Sequence, residues 1–484
     1  METLFSFIMQ RTKKSFLLFF GLLILFYVGA KAQTTNDSLK SYIHQAAMHN
    51  PLVQSTYNEY LAALEKMTQV GALPDPQLTM GYFLSPMELI GGNQRADIKL
   101  MQMFPWFGTL KAAKDEASKM ALAKYEQFRQ TGFETFYQVK KAWYDLYRID
   151  KEITLVQNNL SLMNSLEQLA LTNFGVASTG KGVSFNNAIR QIASGSSNKQ
   201  SGEGMDSSGN MSSSQSSQGM SQSSTGMEGS SNSGDLANVL KVKMEIRDLE
   251  SQLAFLQDQK STQIIRFNSL LNRNPESLVS VPDTLDRALV PLKLAFGMDS
   301  VDKNNPMIRM FDAEQAAYAV KKRMVTKMGY PMFGVGLDYA VIDKRVGNTS
   351  MMNGNDMVMP MLTITLPIYR NKYKSMIKEA ELNRLSASQA KQNETNDLQV
   401  KYSEILTSLN DAERRITLDK GQIDLAQRTL SLLITGFSTS GNKYDELLRM
   451  EQQLLDYRFQ LVEAVVDQNS AVAMLTNLMA INEP

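Results

Sequence analysis

Met357, Met359 and Met361 stand at alternate positions, and Met101 and Met103 repeat that spacing earlier in the chain. Thioether sulfur is a soft ligand that favours Cu(I) or Ag(I) over hard cations. Met205, Met211, Met220 and Met227 add further thioethers inside a serine- and glycine-rich stretch. The chain has 30 methionines and no cysteine. That excludes disulfides, thiolate metal sites, a cysteine nucleophile and a lipidated N-terminal cysteine. His44 and His49, the only histidines, lie roughly 140° apart around a helix and cannot share a face as metal ligands. There is no G-x-S-x-G, Walker A, EF-hand or HExxH pattern. The reading is therefore a protein that is not an enzyme and needs no cofactor. Lys plus Arg is 50 against 49 for Asp plus Glu, which leaves no basic footprint for nucleic acid.

The methionines belong to short alternating stretches. Ile98 and Leu100 oppose Asp97 and Lys99, and continuing the alternation puts Met101 and Met103 on the Asp97/Lys99 face. Likewise Leu362, Ile364 and Leu366 oppose Thr363 and Thr365, with Met357, Met359 and Met361 on the threonine face. Leu78, Met80, Tyr82 and Leu84 form another apolar face, as do Phe333, Val335, Leu337, Tyr339 and Val341. Strands are predicted at about 77–84, 96–104, 332–341 and 358–366. One apolar and one polar face suits the wall of a membrane barrel with a wet interior; a half-buried soluble sheet would show the same alternation. Four strands cannot close a barrel, since single-chain barrels start at about eight. Closure requires several copies, and three would supply twelve strands.

These strands recur because the chain is written twice. His49-Asn50-Pro51 precedes an amphipathic helix, then Leu73-Pro74-Asp75-Pro76, a strand pair, and Phe104-Pro105. Asn304-Asn305-Pro306 opens the same series, followed by Gly329-Tyr330-Pro331, a strand pair, and Leu366-Pro367. Pro51 and Pro306 stand 255 residues apart, Pro105 and Pro367 262, and Gly175 and Gly436, in the stretches that follow, 261. After each closing proline comes a long proline-free helical stretch. In the first, Phe136, Val139, Trp143, Leu146, Ile149, Ile153, Val156, Leu160 and Met163 alternate steps of three and four. In the second, Leu398, Tyr402, Ile405, Leu409, Ala412, Ile416, Ile423, Ala426, Leu430 and Leu433 do the same, with one position near Lys420 skipped. A repeat near 3.5 means coiled-coil packing, and roughly 65 helical residues make a rod on the order of 100 Å long. The rods are expected to turn back at Gly175 and Gly436. Returning helices follow from about Asp235, a candidate N-cap, to Leu271, and from about Tyr444 to Met479.

The chain divides into residues 1–32, 33–290 and 291–484. The first part has a basic patch (Arg11, Lys13, Lys14), an apolar run from Phe16 to Val28, and Ala30-Lys31-Ala32. That is the pattern of a secretory signal peptide, with Gln33 as the expected mature N-terminus. The run is shorter than the roughly 20 residues of a membrane-spanning helix. The other two parts are the structural repeats. Ser194 to Gly234 interrupts the first of them with 17 serines and 8 glycines, too little apolar surface to fold, so disorder is expected there.

With the duplication, the strand pairs and the long hairpins, the chain resembles the TolC-type outer-membrane efflux channel family. Leu73-Pro74-Asp75-Pro76-Gln77-Leu78 and Gln102-Met103-Phe104-Pro105-Trp106-Phe107-Gly108 look like its heavy-metal efflux branch. The resemblance implies a mainly α fold with a membrane β part. Three copies would form a 12-stranded barrel in the outer-membrane lipid, continuous with a periplasmic α-barrel. It implies as partners a periplasmic adaptor protein and an inner-membrane efflux pump. Carried over to this sequence, the adaptor-docking tips are Gly175, Val176, Ala177, Thr179, Gly436, Phe437, Ser438 and Thr439. Asp445 with Glu446 would form a periplasmic gate, a threefold acidic ring attracting cations; acidic residues also simply favour a helix's first turn. The polar strand face becomes the lumen, and its methionines with those of the insert become a thioether path. Multidrug efflux and type I secretion use the same kind of duct. A coiled-coil adhesin or scaffold would explain the heptads but not the paired strands.

Overall fold

The computed structural model describes residues 38–179, 231–289, 297–347, 351, 353–440 and 444–481. The signal peptide and nearly all of the Ser/Gly/Met insert, with Met205, Met211, Met220 and Met227, lie outside the described residues.

The first repeat contains α1 (Ser38–His49), α2 (Pro51–Gly71), β1 (Gln77–Leu89), β2 (Gly92–Phe104), α3 (Thr109–Thr179) and α4 (Ser231–Leu270). The second contains α5 (Gly297–Asn304), α6 (Pro306–Met328), β3 (Met332–Asp343), β4 (Met357–Thr365), α7 (Arg370–Ser440) and α8 (Tyr444–Leu478). Both rods, α3 and α7, are 71 residues long, about 105 Å at 1.5 Å per residue. Their starts, Thr109 and Arg370, and their ends, Thr179 and Ser440, are each 261 residues apart.

The Asn-Pro pairs are helix starts for a stated reason. Asn50 Oδ1 accepts from the N–H groups of Leu52 and Val53, and Asn305 Oδ1 from that of Met307. Proline occupies the first helical position, where a missing N–H costs nothing. Each cap also ties its helix to a returning one. Asn50 Nδ2 donates to Leu270 O (2.8 Å), and Asn305 Nδ2 to Leu478 O (3.2 Å).

Three expectations are corrected. The rods do not turn at their glycines: α3 runs through Gly175 and α7 through Gly436, each ending four residues later. A single glycine costs a helix only about 1 kcal/mol, which long flanking turns absorb. Asp235 is not an N-cap but lies inside α4, which begins at Ser231. Residues 231–234, assigned to the disordered insert, are therefore helical.

The seam residues pack as the heptads require. Val139, Trp143, Leu146, Ile149, Ile153, Val156 and Met163 of α3 are buried, as are Leu398, Ile405, Leu409, Ala412, Ile416 and Ala426 of α7. α2 and α6 lie along the sheet-proximal parts of the rods, while α4 and α8 return along the distal parts. α8 sits between α7 and α3; α4 packs chiefly on α3. The strands form one antiparallel sheet in chain order, β1-β2-β3-β4, so β1 and β4 are open edges.

Candidate transport path

Strand register sorts side chains onto two faces, because directly paired residues point the same way. One face carries the rungs Leu78–Leu100–Leu337 and Met80–Ile98–Tyr339–Val358, with Val335 beside Leu362 and Phe333 beside Ile364. All of these are apolar or aromatic, and nearly all are exposed in the single chain. An apolar face left uncovered needs an apolar partner, which the outward face of a membrane barrel finds in lipid.

The opposite face is polar and small. Its rungs are Gly81–Asp97–Ala340–Met357, Thr79–Lys99–Asp338–Met359, Gln77–Met101–Gly336–Met361, Met103–Gly334–Thr363 and Met332–Thr365. Lys99 Nζ lies 3.1 Å from Asp97 Oδ2 and 3.7 Å from Asp338 Oδ2. Gly81 has no side chain because Asp97 occupies the space a Cβ would take. Gly334 does the same for methionine: a Cβ there would stand 2.6 Å from Met103 Sδ.

Where the strands meet the helices, aromatic rings gather. Trp106 stacks on Tyr330 with centroids 5.1 Å apart and on Phe333 at 5.9 Å. Phe107, edge-on to Trp106 with centroids 6.0 Å apart, is among the most exposed large side chains of the described residues. Such a girdle marks the membrane–water boundary of outer-membrane barrels.

At the far end, α8 begins with Tyr444, Asp445 and Glu446 in its first turn. Asp445 is not a bare acidic residue. Its two carboxylate oxygens accept from Lys241 Nζ of α4 at 2.7 and 2.9 Å. Two turns on, Gln452 Nε2 donates to Glu245 Oε2 at 2.5 Å. Between them Glu451 is 4% exposed, and burial pushes its carboxyl up to about 7, with Arg458 opposing. Burial likewise raises the Tyr444 hydroxyl. Gly436 has open space around it; Phe437, Ser438 and Thr439, with Gly175, Val176, Ala177 and Thr179, are placed only as helical backbone at the rod ends.

Sequence reading missed Met332, Lys241, Asp419 and Glu451. Met332 follows from extending the β3 alternation by one residue. Asp419, 3% exposed, fills the skipped heptad position of α7, and burial raises its carboxyl. Lys241 had no signal, since it comes from the partner helix. Among the described residues no group of three or more His, Asp or Glu is placed to hold a metal. Nor is any described helix long and apolar enough to cross a membrane.

No family model matches the chain, and no curated protein matches it. Solved structures do. The outer membrane protein VceC from Vibrio cholerae superposes with a TM-score of 0.65 at 15% identity, over 91% of this chain and 95% of VceC. The transmembrane channel-forming CusC gives 0.65 at 14%, over 92% of each chain. The outer-membrane channel MtrE of Neisseria gonorrhoeae gives 0.64 at 13%, over 92% of this chain and 89% of MtrE. At such identities the likeness is one of fold, and the fold is that of the outer-membrane channels.

Proposed function

We propose that the chain is one third of an outer-membrane exit duct, the passive outlet of a tripartite efflux system. The observation that carries this is the open sheet. Its outer face, apolar but for Gln102 beside Val335, and its two unpaired edges are unusable in a lone copy, and it continues directly into two 71-residue rods. Open strands cannot satisfy their backbone groups in lipid, so β1 of one copy pairs with β4 of the next, and three copies close the barrel. The duct performs no chemistry, and an inner-membrane pump supplies the energy. An adaptor protein docks at the rod ends, around Gly175, Val176, Ala177, Thr179, Gly436, Phe437, Ser438 and Thr439. Asp445 and Glu446 line the periplasmic gate.

The cargo we favour is heavy-metal cations, copper or silver first. The supports are the two sequence segments flanking the first strand pair and the thioethers of the polar sheet face. Met205, Met211, Met220 and Met227 of the insert would serve as a capture tether.

Membrane fractionation and native mass measurement in detergent test the duct: an outer-membrane trimer is expected, and a soluble monomer overturns it. Deleting residues 194–230 should lower tolerance to copper and silver but not to dyes or detergents. Unchanged metal tolerance removes the tether.

A further inference from the structure

Resting on the duct reading, we propose that the barrel wall carries a continuous thioether ladder that passes a soft monovalent cation, Ag(I) or Cu(I), through the outer membrane. Every polar-face rung from Met332–Thr365 to Gly81–Asp97–Ala340–Met357 holds a methionine. In order they are Met332, Met103, Met101 with Met361, Met359 and Met357. At about 3.4 Å per residue, these five rungs cover about 27 Å along the strands, close to the roughly 25 Å apolar band of an outer-membrane barrel.

The placement runs against methionine as a hydrophobic filler. A filler belongs on the lipid face, yet of the strand methionines before the register shift in β1 only Met80 is there. The others share their face with Lys99, Asp97, Asp338 and three threonines. Glycines open the wall between them. Gly336 stands between Met101 and Met361 on one rung, so no side chain separates the two thioethers. Gly334 leaves room for the Met103 sulfur to lie over β3.

The chemistry suits transit. A thioether is neutral and has no proton to lose, so it binds a soft d10 cation without the pH dependence of histidine or thiolate. It also binds weakly, and conduction needs sites that hold an ion and release it to the next.

The test is single-channel current through the full-length protein in planar bilayers of nitrate salts, with silver nitrate as the probe. Ag(I) should block potassium current in brief events, equally at pH 5.5 and 7.5, while any block by Ca(II) should be the same in the wild type and in the leucine variants below. Changing the six ladder methionines to leucine, which keeps side-chain volume, should remove the block and leave potassium conductance in place. Met80→Leu should change nothing. If the sixfold variant fails to insert, the pair Met101→Leu and Met361→Leu decides, with shortened block events expected. A wild-type channel that Ag(I) does not block, or a block that survives these leucines, overturns the ladder alone. Absence of potassium conductance in the wild type overturns the duct beneath it.

Discussion

α4 and α8 are the returning helices of equivalent hairpins, and their surroundings differ sharply. α8 is lodged between α3 and α7 and buries Leu447, Leu454, Val466, Val472 and Leu475 among others. α4 buries only the side facing α3 and leaves Leu240, Met244, Phe255 and Ile265 exposed. The unused apolar surface of the second hairpin lies instead on α7, where Leu418, Leu425 and Leu432 are exposed at heptad spacing. One chain therefore ends in an apolar stripe at each lateral edge, α4 on one side and α7 on the other. The sheet repeats this asymmetry with its free β1 and β4. Two different edges that must be covered define a head-to-tail contact, which closes into a ring when the rotation fits.

Breaking that edge should have the largest effect. Leu418→Glu with Leu425→Glu places charges on the exposed stripe of α7 without touching the buried seam. Trimers should be lost on native gels while the isolated chain keeps its helical circular dichroism. The same charges at the solvated Lys401 and Arg414 positions should be harmless. Trimers that survive the leucine changes would mean that α7 does not face a second copy.

The next effect sharpens the contrast between a central and a peripheral helix. Among the described residues only α8, lodged in the middle, carries a buried carboxyl with a strongly raised pKa, Glu451. Its folded pKa is above the unfolded value, so the neutral form is the one the fold prefers. Stability from this group is full below about pH 4.5 and is lost as pH rises through about 7. The difference of about 2.5 pH units corresponds to on the order of 3 kcal/mol. Glu451→Gln should raise the thermal midpoint of the helical part at pH 8 and leave it unchanged at pH 4. Equal midpoints at both values would mean that the carboxylate is solvated.

Much of this was legible in the sequence, and the exceptions have a common cause. Register-dependent features were readable because alternation and heptads are periodic: the strand faces and the seams of α3 and α7, while the Asn-Pro pairs were readable as markers preceding helices. The strand lengths were not, since β1 and β2 extend to Leu89 and back to Gly92 through Ser85, Pro86, Asn93 and Gln94, which carry no alternation. Glycine misled at Gly175 and Gly436, where tertiary length outweighs a local penalty. Lys241 was invisible because its partner lies more than two hundred residues away. Asp419 was present only as a gap in a pattern, the usual appearance of a polar residue at a coiled-coil seam.

The smallest effect on stability, and a separate one on conduction, belongs to the polar tie between the two returning helices. Lys241 and Asp445 have side chains 49% and 64% exposed, and exposed pairs contribute little to folding. In the proposed trimer their charges, repeated three times around the gate, would still act on permeating ions. The pair as it stands cancels the negative charge that an acidic gate needs. Lys241→Ala should therefore release the Asp445 carboxylate and raise cation over anion selectivity. Asp445→Ala should leave three lysines at the opening, lower that selectivity and weaken divalent-cation block. Both shifts should shrink in high salt, where the Debye length falls to about 3 Å at 1 M. Reversal potentials that are the same for wild type and both variants at low salt would show that this end does not line the path, and the gate assignment of Asp445 and Glu446 would go with it.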